Sequence, residues 1–387
     1  MNRLVTLSGL GFFAAIAGCG RPFAIDMSSG GAGGAASSAS GGGDGGATTV
    51  SASTGTGGTG GATVPACKAG IAGECDAGQY CDASTSACHS CADLSSLRFH
   101  SQPFMIDLAP SIAGNTAFYP RVSNAENGKL YFTFVDRSEA IPRRRVAFAA
   151  RKSGAVGWQW DTWLFVPPPV GSVGQDSAAM VLDSAAMLTG LVDVTKIDAE
   201  KPVILFDSNR NGATTQKLFA ANLEGTVAAD VSLPSGKRDS DVAAAPNASP
   251  PRYYWLSDAN STTLTQRLVT ATATSQATEV KILLDNNCVT SVVEGPWVTL
   301  NGKLLFFAAA YPDANTCTPP VGGTKHLFVT RMTDQGTQAP GEKAQPLFPE
   351  SPDTFDTTPA LTPDKCMLLF ARFDATANGR VYGALRE

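Results

Sequence analysis

The sequence predicts an all-β fold, a five-bladed β-propeller, on three observations. A hairpin pattern recurs about every sixty residues, and no long helical periodicity interrupts it. One unpaired strand also stands ahead of the repeats, while the last repeat is one strand short. A six-bladed ring and a β-sandwich are the alternatives; the period favours a propeller over a sandwich, and a six-bladed ring would need a blade that the sequence does not show. A disordered linker and a small disulfide-rich module precede the propeller. The boundaries read as a signal segment at 1–18, a tether at 19–66, a cysteine-rich module at 67–95 and the propeller at 96–387.

The chain opens MNRLVTLSGLGFFAAIAGCG, with Arg3 as a positive start and an apolar run over 4–17. That run is too short to span a bilayer and has the form of a secretory signal. Ile16-Ala17-Gly18-Cys19 resembles the bacterial lipobox. The resemblance implies lipidation of Cys19 and cleavage before it, and several acyl chains give durable anchoring. Gly20 stands where an aspartate would resemble an inner-membrane retention signal, which points to the outer membrane or the cell surface. Residues 28–63 are Gly, Ala, Ser and Thr except for Asp44 and Val50, and such a segment has nothing to bury. As a flexible coil, the chain from Cys19 to Cys67 spans about 35–40 Å and holds the folded part clear of the lipid. The net charge is −5, and loss of Arg3 with the signal takes it to −6. Lysine and arginine are scattered apart from Arg143-Arg144-Arg145, which gives no footprint for nucleic acid.

Nine cysteines occur, at 19, 67, 75, 81, 88, 91, 288, 317 and 366. With Cys19 lipidated, eight remain in an oxidising compartment, where structural disulfides are expected. Five fall in the module and three in the propeller. Either each part keeps a free thiol or one disulfide crosses between them. The expectation is a staple through Cys366, with Cys288 and Cys317 paired to each other. Only Cys88 and Cys91 have a metal-ligand spacing, and His89 is one of three histidines, so a zinc site is disfavoured. The run "GECDAGQYC" with the closing "CHSC" resembles the Dickkopf N-terminal cysteine-rich type. That resemblance implies a disulfide-held binding or spacer module rather than catalysis.

Three segments define the repeat: "PRVSNAENGKLYFTF" (120–134), "PWVTLNGKLLFFAA" (296–309) and "PALTPDKCMLLFAR" (359–372). Asn127-Gly128 and Asn301-Gly302 suit two-residue turns that need positive φ. "AAMVLDSAAMLTGLVDV" (178–194) and "AAAPNASPPRYYWLSD" (243–258) are weaker copies. A following strand recurs around Ala147, Leu205, Leu268, Phe328 and Tyr382, at steps of 58, 63, 60 and 54 residues. A fourth strand reads at 161–166, 216–223, 279–284 and 344–348, and none follows the fifth copy. "QPFMIDLA" (102–109) is the spare strand that would close the ring and leave no open edge.

"PALTPDKCMLLFAR" and "LFDSNRNG" resemble the repeats of TolB-type propellers, a periplasmic family of protein-binding rings. "VVEGPWVTLNGKLLFFAA" (292–309) resembles the segment of five-bladed glycosidases in which Glu-Gly-Pro presents the general acid. That second resemblance implies Glu294 as acid. Asp176, Asp241 and Asp356, which the sequence aligns with Glu294 ahead of their own inner strands, are its candidate carboxylate partners. Tyr119 stands near where that family would place its base, which argues against catalysis. "SGAVGWQW" (153–160) resembles the Asp-box of sialidase-like propellers with Ala155 in place of the aspartate, a mark of a blade.

Asp207, Asn209 and Asn211 precede Gly212 at the alternate spacing of a calcium loop, but Leu218 stands where the bidentate glutamate belongs. Calcium is thus the one ion suggested, and no other cofactor is expected. Trp158, Trp160 and Trp163 form a candidate sugar-stacking group, with packing between blades as the other reading. No Gly-x-Ser-x-Gly, His-Glu-x-x-His or phosphate-binding glycine loop occurs. The sequence therefore reads as a lipid-anchored propeller that binds a protein or glycan without catalysis. A glycoside hydrolase using Glu294 is the alternative.

Overall fold

A computed structural model describes residues 67–387 apart from 72–73, 95–96, 109–115, 124–127, 137–142, 154–157, 167–174, 190–194, 210–216, 224–227, 232–238, 259–264, 319–323, 349–354 and 375–377, and apart from the side chains of 136, 143, 162, 178–179 and 228–230. The expected signal segment at 1–18, Cys19 and the expected tether at 19–66 lie outside the described residues. The module contributes one hairpin, β1 (Gln79–Asp82) and β2 (Ala87–Ser90), and the chain then reaches the short strand β3 (Phe104–Met105). Blade 1 is β4 (Thr116–Val122), β5 (Leu130–Asp136), β6 (Arg143–Arg151) and β7 (Trp160–Phe165). Blade 2 is β8 (Ser177–Leu182), β9 (Val203–Ser208), β10 (Lys217–Asn222) and β11 (Ala228–Asp230). Blade 3 is β12 (Asp239–Ala245), β13 (Arg252–Ser257), β14 (Arg267–Thr272) and β15 (Thr278–Glu279), followed by a separate hairpin, β16 (Ile282–Leu283) and β17 (Val289–Thr290). Blade 4 is β18 (Glu294–Val298), β19 (Leu304–Ala310), β20 (Lys325–Arg331) and β21 (Gln345–Pro346). Blade 5 is β22 (Phe355–Leu361), β23 (Met367–Phe373) and β24 (Gly379–Leu385), completed by β3.

The ring closes as the spare strand predicts. Phe104 pairs with Gly383 and Met105 with Tyr382, so the first propeller strand becomes the outer strand of the last blade. Each inner strand lies beside the inner strands of its two neighbours, and β22 meets β4 to complete the circle. Five apolar wedges fill the spaces between successive blades. Because both faces of each blade are covered, its central strands read as unbroken apolar runs. The period-2 alternation assigns neighbouring residues to different wedges. Phe306 packs toward blade 5 and Phe307 toward blade 3; Tyr253 and Trp255 pack toward blade 2, Tyr254 and Leu256 toward blade 4. Each such side chain contributes about 1.5–3 kcal/mol on burial, so the wedges set the blade count. Gly128 and Gly302 adopt the positive φ their turns need, at 77° and 73°.

Two strand expectations need correction. The segment 201–207 is the second strand of blade 2 and not the third, since Leu205 pairs with Met180 on one side and Ala220 on the other. The connection ahead of it is long, and its Ala185–Leu188 segment is a 3-10 turn whose Ala185 and Leu188 pack into the wedge. Those buried apolar residues imitate a strand in the sequence. The predicted strand at 279–284 is broken: Glu279 ends blade 3, and Ile282–Leu283 pairs instead with Val289–Thr290.

The module is fixed to the ring. Cys67 is bonded to Cys81, Cys75 to Cys88, Cys288 to Cys317, and Cys91 to Cys366 across 275 residues. Arg386, buried near the chain end, donates from Nη1 to the Cys91 carbonyl at 2.8 Å and lies 4.4 Å over the Tyr80 ring. Disulfides thus supply the cohesion that a module with few apolar residues lacks.

Candidate functional site

The five inner strands share one irregularity. Each carries a bulge of one extra residue, between Phe118 and Arg121, Ala178 and Met180, Ser240 and Ala243, Glu294 and Trp297, and Thr357 and Ala360. At four of them a residue takes positive φ: Tyr119 at 55°, Asp241 at 56°, Gly295 at 51° and Thr358 at 54°. The prolines of the sequence repeat, Pro120, Pro296 and Pro359, follow directly. A bulge interrupts the ladder, so a residue without an N–H is tolerated there.

These bulges meet on the axis and bond to one another. The Tyr119 hydroxyl donates to Asp241 Oδ1, and the Gly295 amide donates to Asp241 Oδ2 at 3.0 Å. The Tyr119 amide donates to Thr358 Oγ1 at 3.1 Å. Arg121 Nη1 donates to the carbonyls of Pro120, Thr358 and Pro359 at 2.9, 3.2 and 3.2 Å. Blades 1, 3, 4 and 5 are therefore tied at one level by polar groups that bond from one blade to another, blade 1 to blade 3 across the axis.

The bulge register separates the carboxylates that the sequence aligned. Glu294 is level with Phe118, Ser240 and Thr357; Asp241 stands one residue further in, and Asp356 one residue further out. Asp176 precedes β8 altogether. Their surroundings differ too. Asp356 holds Arg372 through two bonds, Nε to Oδ1 at 2.6 Å and Nη2 to Oδ2 at 2.8 Å. Glu294, half-exposed, pairs with Lys325 and accepts from Thr357 Oγ1 at 3.5 Å. Asp176 and Asp207 are fully buried, at 0% and 2% exposure.

Burial drives the titration of this layer. It raises Asp241 above the ordinary carboxylate value, outweighing the two donors from Tyr119 and Gly295. Burial, then the Asp241 charge, raises Asp207 well above its ordinary value, against the pull of Arg144. The Tyr119 phenol is pushed far up by burial and then by Asp241 and Asp207, so it stays a proton donor. These shifts predict a pH dependence. Folding favours the protonated form of Asp207 and Asp241, so stability is full below the ordinary 3.8 and falls as pH rises from there through the raised values. Urea unfolding across that window should show the decline, and Asp207→Asn with Asp241→Asn should flatten it. A wild-type decline that the double variant leaves unchanged contradicts this assignment.

The remaining candidates are placed as follows. Trp160 is buried in the wedge between blades 1 and 5, its Nε1 donating to the Gly128 carbonyl at 2.9 Å. Trp158 stacks 6.0 Å from Trp160 and donates to Asp364 Oδ2 at 2.9 Å, with Arg151 4.4 Å over its ring. Trp163 packs 4.7 Å from Phe134 and 5.1 Å from Phe165. These indoles are engaged in blade packing. Asp207 lies inside β9, opposite Ser177 and Leu218, and Asn209 Oδ1 accepts from the Gln175 amide at 2.7 Å. Asn211 lies outside the described residues. Among the described residues, the one metal-like cluster is Cys67, Cys75 and Cys88, and all three sulfurs are in disulfides.

Arg121, Lys325 and Arg372, the cations that serve this axis, are absent from the sequence reading. The recurrence of proline at 120, 296 and 359 was the available signal, because it marks the bulge that brings them together.

No protein-family model and no curated protein matches the chain. Among solved structures, TolB from Acinetobacter baumannii is 11% identical at a TM-score of 0.36, over 70% of this chain and 54% of that one. The present chain thus spans about half the length of that TolB. The α-L-arabinofuranosidase from Lactobacillus brevis is 13% identical at 0.42, over 72% and 92% of the two chains. A putative glycoside hydrolase from Bacteroides ovatus is 14% identical at 0.39, over 74% and 93%. The five-bladed architecture itself rests on the strand order and the five wedges described above.

Proposed function

We propose that the chain is a lipid-anchored protein of the outer membrane or cell surface, whose TolB-like propeller binds a protein or glycan ligand without catalysis. In this reading residues 1–18 are a lipoprotein signal, Cys19 carries the lipid, 19–66 are the tether, and 67–95 form a module of Dickkopf N-terminal type. What supports a non-enzymatic role is the commitment of the axial carboxylates to internal partners: Asp241 to Tyr119 and Gly295, Asp356 to Arg372, Glu294 to Lys325. Glycoside cleavage needs one protonated and one ionised carboxyl flanking the same bond, and here Asp241 ties blade 3 to blades 1 and 4 while Asp356 and Glu294 are held by cations of their own blades.

One observation favours the hydrolase alternative. Glu294 opens an inner strand and is 42% exposed by side chain, as an acid reaching a bound sugar would be. Against that alternative stands Tyr119, near where the resembled family would place its base and bonded instead to Asp241.

Two experiments test the proposal. A glycan array probed with the full chain should give a sugar hit if the ligand is a glycan, and a blank array with no captured protein partner would overturn the binding role. Cys19→Ser should release the protein from membranes into the soluble fraction. Unchanged retention would refute the anchor.

A further inference from the structure

Three phenylalanines that gather at one end of the axis stand outside all five apolar wedges. Phe118 belongs to β4, Phe355 opens β22 and Phe373 ends β23. Phe355 pairs with Phe373 across the sheet, and their rings stack 4.6 Å apart at 3°. Phe118, from the neighbouring blade, lies 6.5 Å from Phe373. Phe118 is level with the half-exposed Glu294, and Phe355 stands two residues further out. Gly379, opposite Phe373, leaves that ring its room, since a Cβ there would fall 2.8 Å from Phe373 Cε1. All three rings are half-buried, so they form an apolar rim at this end of the ring of blades.

Arg144 adds a cation to this rim. It lies on β6, is exposed, and its guanidinium carbon sits 5.8 Å from the Phe118 ring centre, within cation–π range. Its backbone amide donates to Gln175 Oε1 at 2.9 Å. Its guanidinium has no ion pair among the described residues. The acid whose field reaches it is Asp207, which burial drives toward the neutral form. Lys325 and Arg372, by contrast, are matched inside their own blades by Glu294 and Asp356. The run Arg143-Arg144-Arg145, which carries no footprint for nucleic acid, thus sets one arginine beside an aromatic rim.

We propose that this rim binds an acidic glycan, a uronate-containing oligosaccharide, with the C–H face of a sugar ring against Phe118, Phe355 and Phe373 and its carboxylate paired with Arg144. The proposal rests on the binding role given above and narrows its ligand to an acidic sugar. A neutral sugar gains the apolar contact alone. A uronate adds a charge-assisted pair with the planar guanidinium, which suits a carboxylate through two parallel bonds. An acidic peptide carries its carboxylate on a flexible side chain that must be ordered on binding. A uronate holds carboxylate and apolar face on one rigid ring, and so matches a cation fixed beside aromatic rings.

An array of uronate oligosaccharides, their methyl esters and neutral oligosaccharides, probed with the full chain, tests the proposal. Hits should be confined to the free uronates. Titration of the strongest uronate and its ester then separates the two contacts. Esterification should weaken binding about tenfold or more. Arg144→Gln should weaken the uronate equally and leave the ester unchanged; Arg144 is exposed, so this variant removes a charge without disturbing the core. Phe118→Leu should weaken acid and ester alike, several-fold. Equal affinity for uronate and ester, uronate binding unmoved by Arg144→Gln, or both ligands unmoved by Phe118→Leu would each overturn the proposal. Hits confined to neutral glycans would overturn it and leave the glycan reading standing. A blank array with a captured protein would overturn it and leave the binding role standing, and a blank array with none would overturn both.

Discussion

Gly295→Ala should be among the most damaging single methyl additions to this protein, with an expected loss of about 3–5 kcal/mol. A Cβ at Gly295 would sit 2.5 Å from Thr358 Cα and 2.8 Å from Thr358 Cγ2. The first contact is with backbone of the neighbouring blade, which cannot rotate away as a side chain would. Positive φ alone does not explain the effect, because Tyr119, Asp241 and Thr358 hold similar φ values with side chains in place. The cause is the approach of blades 4 and 5 at the axis. Thr358→Ala should therefore fail to rescue Gly295→Ala, since it removes Cγ2 and leaves Cα. Thermal or urea unfolding checks both variants, and a loss below about 1 kcal/mol would show that the blades can part at this level at little cost.

The second large effect concerns the bond between module and ring. Breaking Cys91–Cys366 with a double serine variant should cost about 5–6 kcal/mol on the chain-entropy account, because the bond closes a very long loop. That loop spans 275 residues and includes nearly the whole propeller. Two consequences are separable. The midpoint of urea unfolding should fall, and the module should become accessible to limited proteolysis near Cys91 before the blades do. The Arg386 contacts to Cys91 and Tyr80 then carry the docking alone. Unchanged stability and unchanged cleavage in the double variant would mean that those contacts suffice, and that the disulfide is incidental to the closure.

Blades 1, 4 and 5 were legible because their inner hairpins are bounded by turn residues and their strands alternate between two wedges. Blade 2 was not, because the apolar residues of its long connection, Ala185 and Leu188, pack onto the core without pairing. The fourth strand of blade 3 misread for a related reason. Ile282 and Leu283 are apolar and buried or half-buried, but they pair within the separate β16–β17 hairpin. Cysteine parity, five in the module and three in the propeller, carried the expectation of a crossing bond, and Cys91 is joined to Cys366.

The axial site was legible as residue types and illegible as geometry. Glu294, Asp241 and Asp356 all stand near the starts of inner strands, which composition and spacing show. A one-residue bulge in each strand then staggers them, and no local signal states how far. The bond from Tyr119 to Asp241 spans 122 residues and exists only once the ring has closed. Arg121 carries even less signal, since a single arginine after a proline reads as a solvated turn residue.

On the proposed reading the axial carboxylates serve internal partners, Asp241 across blades and Glu294 and Asp356 within their own, and do no chemistry. Its most direct test is a hydrolysis assay of the purified chain against a panel of aryl glycosides, run beside Glu294→Gln. No turnover above background is expected from either protein, with the stability of Glu294→Gln reduced by about 1 kcal/mol or less for loss of a half-exposed ion pair. Turnover by the wild-type chain that Glu294→Gln abolishes, with the fold intact, would contradict it.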